Sequence, residues 1–425
     1  MLRHGQRLEV VAERLNAVGE AVCRSGGSEL RVFGLLPGER ARVSVDHVAS
    51  GASVAFGSVL ARGVTSAERR RAPCARAQDC SGCPLMVATP ALQRALKTAL
   101  VEEALGVAID AYLDDPEGEL GYRWSSKRVV AGQPGALVLG SYRRGTHHVA
   151  SMSACLVDHP AIARAADRIT AVANDLGVEP FDERSGRGDL RYVWLKTNQA
   201  GQVLVTLISG GPDSAAASVA AQLDDVAGVF WAVQPSAGNA IRGSDAVHLR
   251  GVGTIDVELA GETRGQGPLS FLQPNPAMAE RCYAEMVRDL RGERALDLYS
   301  GAGITAALLR RSFREVQVVE SFPEAAEALG VLPQTVVEYL TRLESAQPPD
   351  VVLANPPRAG LGAEVCARLL ELGAARLHVM SCNPVSMARD LQALSARYRL
   401  ESVRAYDTLP QTMHVELVVR LVLKR

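Results

Sequence analysis

Three groups of residues in this chain have the types and spacing to do chemistry. They are a thiol in Ser381-Cys382-Asn383-Pro384, a carboxylate in His414-Val415-Glu416, and a glycine loop in Asp297-Leu298-Tyr299-Ser300-Gly301-Ala302-Gly303. Cys382 follows an apolar run at 377–380 that reads as a buried strand, while Asn383 and Pro384 suit an N-cap and a first helical position. Unpaired N–H groups at a helix start favour negative charge, so a thiol there is expected to tend towards the nucleophilic thiolate. The plainer alternative is a buried structural cysteine. A hairpin over residues 407–416 can lie beside the Cys382 strand and bring Glu416 to the thiol; a surface glutamate is the alternative.

The glycine loop sits after a strand and before a helix, where backbone can approach a ligand and helix N–H groups can bind it. Glu320 ends the next strand, about 20 residues on, the usual place for an acid that holds ribose hydroxyls. Gly301, Gly303 and Ala306 also satisfy the dinucleotide G-x-G-x-x-A pattern, so a nicotinamide enzyme is one possible reading of this half-sheet. Asn355-Pro356-Pro357-Arg358 follows the apolar strand 351–354 and forms a rigid lip, which suits an enzyme that must hold a planar base against a sulfonium.

The elements that position these groups alternate: strand 295–299, helix 304–310, strand 316–320, helix 323–329, strand 351–354, strand 377–381, then the helix after Pro384. That order predicts a doubly wound parallel sheet, closed by an antiparallel pair at 399–406 and 414–422. Residues 1–64 carry short strands and turns of a small oligonucleotide-binding type barrel. Residues 65–115 hold a cysteine loop and a bridging helix, 116–265 a central α+β domain, and 266–425 the α/β domain.

Composition bounds the class. The 425 residues have a net charge of −1, 47% hydrophobic content and no apolar run long enough to span a bilayer, so a cytoplasmic protein with no membrane partner, acting as a monomer, is expected. Net charge does not mark a nucleic-acid binder, but its distribution does. Between Gly121 and Met152 stand Arg123, Lys127, Arg128, Arg143, Arg144 and two histidines without an acid, interleaved with Tyr122, Trp124 and Tyr142. Positive charge with aromatic faces suits a strand-tracking, base-stacking surface. Of the eight cysteines, Cys74, Cys80 and Cys83 form a tight group, and Cys155 is the nearest later candidate for a fourth ligand. Four thiolates can hold zinc or an iron–sulfur cluster.

Taken in order, these motifs make the chain similar to the RNA uridine-5-methyltransferase family. The resemblance rests on residues 271–275 (FLQPN), 297–303 (DLYSGAG), 355–361 (NPPRAGL), 381–384 (SCNP) and 407–416 (DTLPQTMHVE), with 142–145 and 239–243 in the central domain. It covers nearly the whole chain. It implies a Rossmann-like methyltransferase domain, an N-terminal TRAM barrel and a central RNA-binding domain. The implied cofactors are S-adenosyl-L-methionine and a [4Fe–4S] cluster on Cys74, Cys80, Cys83 and Cys155. The implied reaction makes 5-methyluridine, with Cys382 as nucleophile and Glu416 as base, and with Gln273, Tyr299, Gly301, Gly303, Glu320 and Asn355 at the cofactor. RNA is the implied partner, 23S ribosomal RNA by preference and the T-loop of transfer RNA as the alternative. A non-catalytic RNA-binding relative and a nicotinamide oxidoreductase are the rivals from other classes.

The chain departs from the family at Asn355, where Asp is usual, and at Ile304, where Asn is frequent. Asn355 can accept from the uracil imide N–H and donate to a ring carbonyl. The stretch from Glu320 to Asp350 is short, with Glu338 the nearest candidate for a polar residue beside adenine.

Overall fold

The computed structural model describes residues 2–49, 53–143, 146, 148–236, 238, 241, 243–343 and 348–424. Arg144, Gly145 and His147 of the basic segment, and Asn239, Ala240 and Arg242 of the 239–243 motif, lie outside them. The chain divides into two compact units: residues 1–100, 140–152 and 409–414 form one, and residues 101–139, 153–408 and 415–425 the other. No helix among the described residues is long and apolar enough to cross a membrane.

The first unit is built on six strands: β1 (Arg7–Val11), β2 (Arg14–Leu15), β3 (Glu20–Ser25), β4 (Ser28–Phe33), β5 (Arg40–Val48) and β6 (Val54–Arg62). They form one sheet in the order β1-β5-β6-β4-β3-β2. Alternation makes the face: in β5, Ala41, Val43 and Val45 are buried while Arg40 and Arg42 are exposed. Helix α1 (Pro90–Leu105) begins in this unit.

The second unit opens with β7 (Ala111–Leu113) and β8 (Ser125–Ala131). The strands β9 (Val138–Tyr142) and β10 (Val149–Ser151) pair antiparallel, Tyr142 opposite Val149, in the part of the chain that belongs to the first unit. Next come α2 (Pro160–Asp175), β11 (Leu190–Thr197), β12 (Val203–Ser209), α3 (Ala216–Ala220), β13 (Gly228–Val233), β14 (Val247–Gly251) and the hairpin β15 (Ile255–Leu259) and β16 (Glu262–Gln266). β8, β11, β12, β13 and β14 are neighbours in that order. Helix α2 buries Ile162, Ala165, Ala166, Ile169, Val172 and Ala173, a helical stripe laid on this sheet.

The remainder alternates helix and strand. It runs α4 (Pro276–Val287), β17 (Gly292–Leu298), α5 (Ile304–Leu309), β18 (Phe313–Val319), α6 (Pro323–Ala328), α7 (Val336–Arg342), β19 (Val351–Ala354), α8 (Gly362–Leu372), β20 (Arg376–Ser381), α9 (Pro384–Leu394), β21 (Tyr398–Tyr406) and β22 (Glu416–Leu423). The sheet order is β18-β17-β19-β20-β22-β21-β7. The first four strands are parallel, and β22 runs antiparallel between β20 and β21. This is the expected wound sheet with its antiparallel close. The early strand β7 adds itself parallel to β21, Ala111 opposite Arg404, a pairing across nearly 300 residues that no local pattern announces. Among the described residues no strand stands between β18 and β19. Among the described residues only α6 and α7 stand in that stretch, and Glu338 forms a capping box with Thr335 at the start of α7.

The basic, aromatic segment is corrected by the fold. Tyr122 is buried, and Trp124 packs against the core and edge-on to His159. Arg128 is only 1% exposed and pairs with the buried Asp158 at 2.7 Å. Arg143 pairs with Asp79 on the surface of the first unit. Composition cannot separate a solvated strand face from a half-buried one, and here much of the charge and ring area holds the fold together.

Candidate active site

Four parallel strands deliver their carboxyl ends to one edge. Leu298 aligns with Val319 and with Ala354, and Ala354 aligns with Val379. Tyr299, Glu320 and Asn355 each follow an aligned strand end, and Cys382 follows β20. This is the edge where open α/β sheets hold ligands.

The glycine loop is shaped by left-handed backbone at Tyr299 (φ 59°), Gly301 (φ 54°) and Gly303 (φ 74°). The left-handed φ of Gly303 favours glycine there, and a side chain would displace the tip of Leu329. A tyrosine in this conformation is uncommon, and such strain gathers at functional sites. Beneath the loop, buried Asp297 accepts from Thr305 Oγ1 at 2.8 Å. Burial pushes its carboxyl up to about 7, against hydrogen bonds from Thr305, Ser300 and the Ala306 backbone. Glu320 accepts from the Gly301 N–H at 2.8 Å and from the Ser321 and Phe322 N–H groups at 2.7 Å each. A carboxylate has about four acceptor positions, so roughly one remains for a hydroxyl. Ile304 points into the core.

Two Asn-Pro caps bring further side chains to the site. Asn275 accepts from Met278 N–H at 3.1 Å and starts α4, directly after Gln273 and Pro274. Asn383 accepts from Val385 N–H at 3.1 Å and starts α9, directly after Cys382. Asn383 also ties the lip to the segment that carries Cys382. Its Nδ2 donates to the Arg358 carbonyl at 3.1 Å, and Ser386 Oγ donates to the same oxygen at 3.2 Å. Further along α9, Arg389 donates to the Ala359 carbonyl at 2.6 Å, and buried Asp390 accepts from the Leu361 N–H at 2.7 Å. The lip that begins at Asn355 is thus bolted to the helix that begins after Cys382.

Glu416 opens β22. Ser381 pairs with Leu417 in antiparallel register, so Cys382 and Glu416 are the next residues at that end of the pair, and the Glu416 charge reaches the thiol. Glu416 is 8% exposed, and burial pushes its carboxyl up to about 8. Cys382 is exposed, yet its thiol is raised, first by desolvation and then by the Glu416 charge; Arg358 pulls the other way. The expected tendency to thiolate is therefore outweighed. The helix start offers N–H groups, but an acid and nearby protein atoms oppose the charge. Cys282 and Tyr283 on α4 are two neighbours the sequence did not single out. Both are held up first by desolvation and also by the Glu416 charge, and the Tyr283 hydroxyl hydrogen-bonds the Gln273 side chain. Their only sequence signal is their place about two turns into a helix capped by Asn275.

Gln273, Tyr299, Gly301, Gly303, Glu320 and Asn355 fit an adenosyl sulfonium ligand in kind: a strained glycine turn, an acid with acceptor capacity and an amide at a strand end. The cysteines fit a metal less well. The Arg76 N–H donates to Cys74 Sγ at 3.4 Å and the Gly82 N–H to Cys80 Sγ at 3.5 Å, contacts that suit thiolates. Cys155 belongs to the second unit, and burial raises its thiol to about 11. Among the described residues no three His, Cys, Asp or Glu side chains gather as a metal-holding group.

The model of the tRNA (uracil-5-)-methyltransferase family matches residues 339–424, the stretch that carries Asn355, Cys382 and Glu416. An uncharacterised RNA methyltransferase of Geobacter sulfurreducens is 32% identical over 456 residues, covering 99% of this chain and 91% of that protein. Another, from Thermosynechococcus vestitus, is 30% identical, covering 99% and 98%. Among solved structures, the Pyrococcus abyssi tRNA (uracil-54, C5)-methyltransferase in complex with S-adenosyl-L-homocysteine superposes with a TM-score of 0.77 at 23% identity, over 98% of this chain and 100% of that one.

Proposed function

Because the chain belongs to the RNA uracil-5-methyltransferase family, we propose that it methylates carbon 5 of a uridine in 23S ribosomal RNA through a covalent bond between Cys382 and the uracil ring. The observation that carries this reading is the register of β20 and β22, whose shared end leads on to a thiol and a buried carboxyl at the ligand edge of the sheet.

Carbon 5 of uracil is a poor nucleophile. Addition of the Cys382 thiolate to carbon 6 moves an electron pair onto carbon 5 and its carbonyl as an enolate. S-adenosylmethionine supplies the electrophilic methyl group that carbon 5 attacks. The Glu416 carboxylate then takes the proton from carbon 5, the ring double bond re-forms, and the carbon–sulfur bond breaks to return the thiolate. Asn355 on its bolted lip accepts from the uracil imide N–H and donates to a ring carbonyl. The uridine must be unstacked to reach Cys382. Gln273, Tyr299, Gly301, Gly303, Glu320 and Asn355 hold the cofactor, Asn355 at the end nearest the uracil.

We assign the six-stranded sheet of the first unit to a TRAM barrel that binds RNA. The family resemblance assigns Cys74, Cys80, Cys83 and Cys155 to a structural [4Fe–4S] cluster; no step of the reaction passes through it. Iron and sulfide analysis of anaerobically purified protein tests the cluster. A second substrate reading, the T-loop uridine of transfer RNA, is favoured by the Pyrococcus abyssi neighbour, which acts on uracil-54 of tRNA. Incubating deproteinised 23S ribosomal RNA and transfer RNA separately with labelled S-adenosylmethionine separates the two. Label in neither RNA would leave the non-catalytic relative.

A further inference from the structure

The segment 267–275 links the central sheet to α4 and carries Gln273, and it is held at both ends. At its start, Lys196 of β11, 1% exposed, points its ammonium at the Gly267 carbonyl (2.7 Å), the Ser270 carbonyl and Ser270 Oγ (3.5 Å). Thr206 of β12 donates to the Pro268 carbonyl at 3.3 Å, and Leu269 is buried against Tyr192, Trp194 and Ile208. The Lys196 ammonium also lies 4.3 Å from the centroid of the Trp194 ring, so one face of its charge is balanced by an aromatic surface. At the segment's end, the Trp124 N–H donates to the Pro274 carbonyl at 2.7 Å and Asn275 caps α4. Between the anchors stand Phe271, 71% exposed, and Gln273 with its bond to Tyr283.

A buried lysine is costly unless its donors are satisfied. Here they are spent on two carbonyls of one short turn, three residues apart, and charge-assisted bonds of this kind are the strong ones. The ammonium therefore fixes where the turn ends and where the next residues begin. We propose that Lys196 is a positioning residue, which holds the 267–270 turn so that Gln273 meets the cofactor from the side of the central sheet. This rests on the reading of Gln273 as a cofactor-binding side chain.

The test is a double-mutant cycle on the full-length protein, with S-adenosylhomocysteine affinity read by calorimetry. Lys196→Met keeps the length of the side chain and removes its donors. It should weaken binding by about tenfold, as Gln273→Ala should, and the double variant should bind within about twofold of Gln273→Ala alone. Lys196→Arg, which keeps charge and donors, should recover part of the loss. If Lys196→Met does not fold, Thr206→Val cuts the other tether to the same turn and should show a smaller loss that is likewise absent in the Gln273→Ala background. Wild-type affinity in Lys196→Met or, failing that variant, in Thr206→Val overturns the inference, as does full additivity with Gln273→Ala. Undiminished binding by Gln273→Ala itself overturns the reading on which the inference rests.

Discussion

Glu416 and Cys382 are the residues next beyond the Ser381–Leu417 pair of one antiparallel strand pair, and the Glu416 charge raises the Cys382 thiol. The arrangement fits a base that acts late. A carboxyl that burial raises to about 8 binds a proton more tightly than an ordinary carboxylate, which suits the group that takes the carbon 5 proton after methyl transfer.

Replacement of Glu416 by Gln should separate the two halves of the reaction. The amide cannot take the proton from carbon 5, so addition and methyl transfer proceed while release does not. Turnover should fall by at least ~100-fold, and a protein–RNA adduct should persist on a denaturing gel. Rapid turnover without adduct would remove Glu416 from the base role.

The pH dependence follows from the same two groups. Both must be deprotonated to act and both are raised, so kcat/KM should climb with pH through about 8, where Glu416 titrates, and keep climbing because the Cys382 thiol is raised above its ordinary 9.0. A profile already flat from about pH 6 would contradict the burial of Glu416 as the controlling feature.

Asn383 caps α9 and holds the Arg358 carbonyl. Asn383→Ala should cost about 1 kcal/mol of stability in urea unfolding. It should lower kcat by about tenfold through loosening of the lip against Cys382. Asp390→Ala, which releases the Leu361 N–H at the other end of the lip, should act in the same direction on kcat.

Asp297 supplies a stability prediction with a definite sign. Its folded value near 7 lies above the ordinary 3.8, so the native state holds a proton that the unfolded chain releases between those values. This group's contribution is fully present below about pH 4 and is lost as pH rises to 7, at about 1.4 kcal/mol per pH unit. Asp297→Asn keeps the bonding to Thr305 and should flatten that slope in urea melts at pH 5 and 7.

Much of the second unit's sheet could be read before its structure, and the reasons are local. Apolar runs ending in Tyr299, Glu320, Asn355 and Cys382 mark buried parallel strands, and Asn-Pro marks the helix that follows Cys382. What stayed hidden is tertiary. The burial of Arg128 against Asp158 turned an apparent binding stripe into core. The thiol of Cys382 depends on a carboxyl 34 residues away in sequence, and Cys282, Tyr283 and the buried Lys196 carry no motif signal. The pairing of β7 with β21 is likewise a matter of long-range packing.

The most direct measurement uses RNA in which the target uridine is replaced by 5-fluorouridine, so that a base cannot complete the final step. With S-adenosylmethionine present, the account predicts a stable crosslink whose peptide maps to Cys382, and its loss in Cys382→Ser. A crosslink at another residue, or undiminished methylation of ordinary RNA by Cys382→Ser, would contradict it.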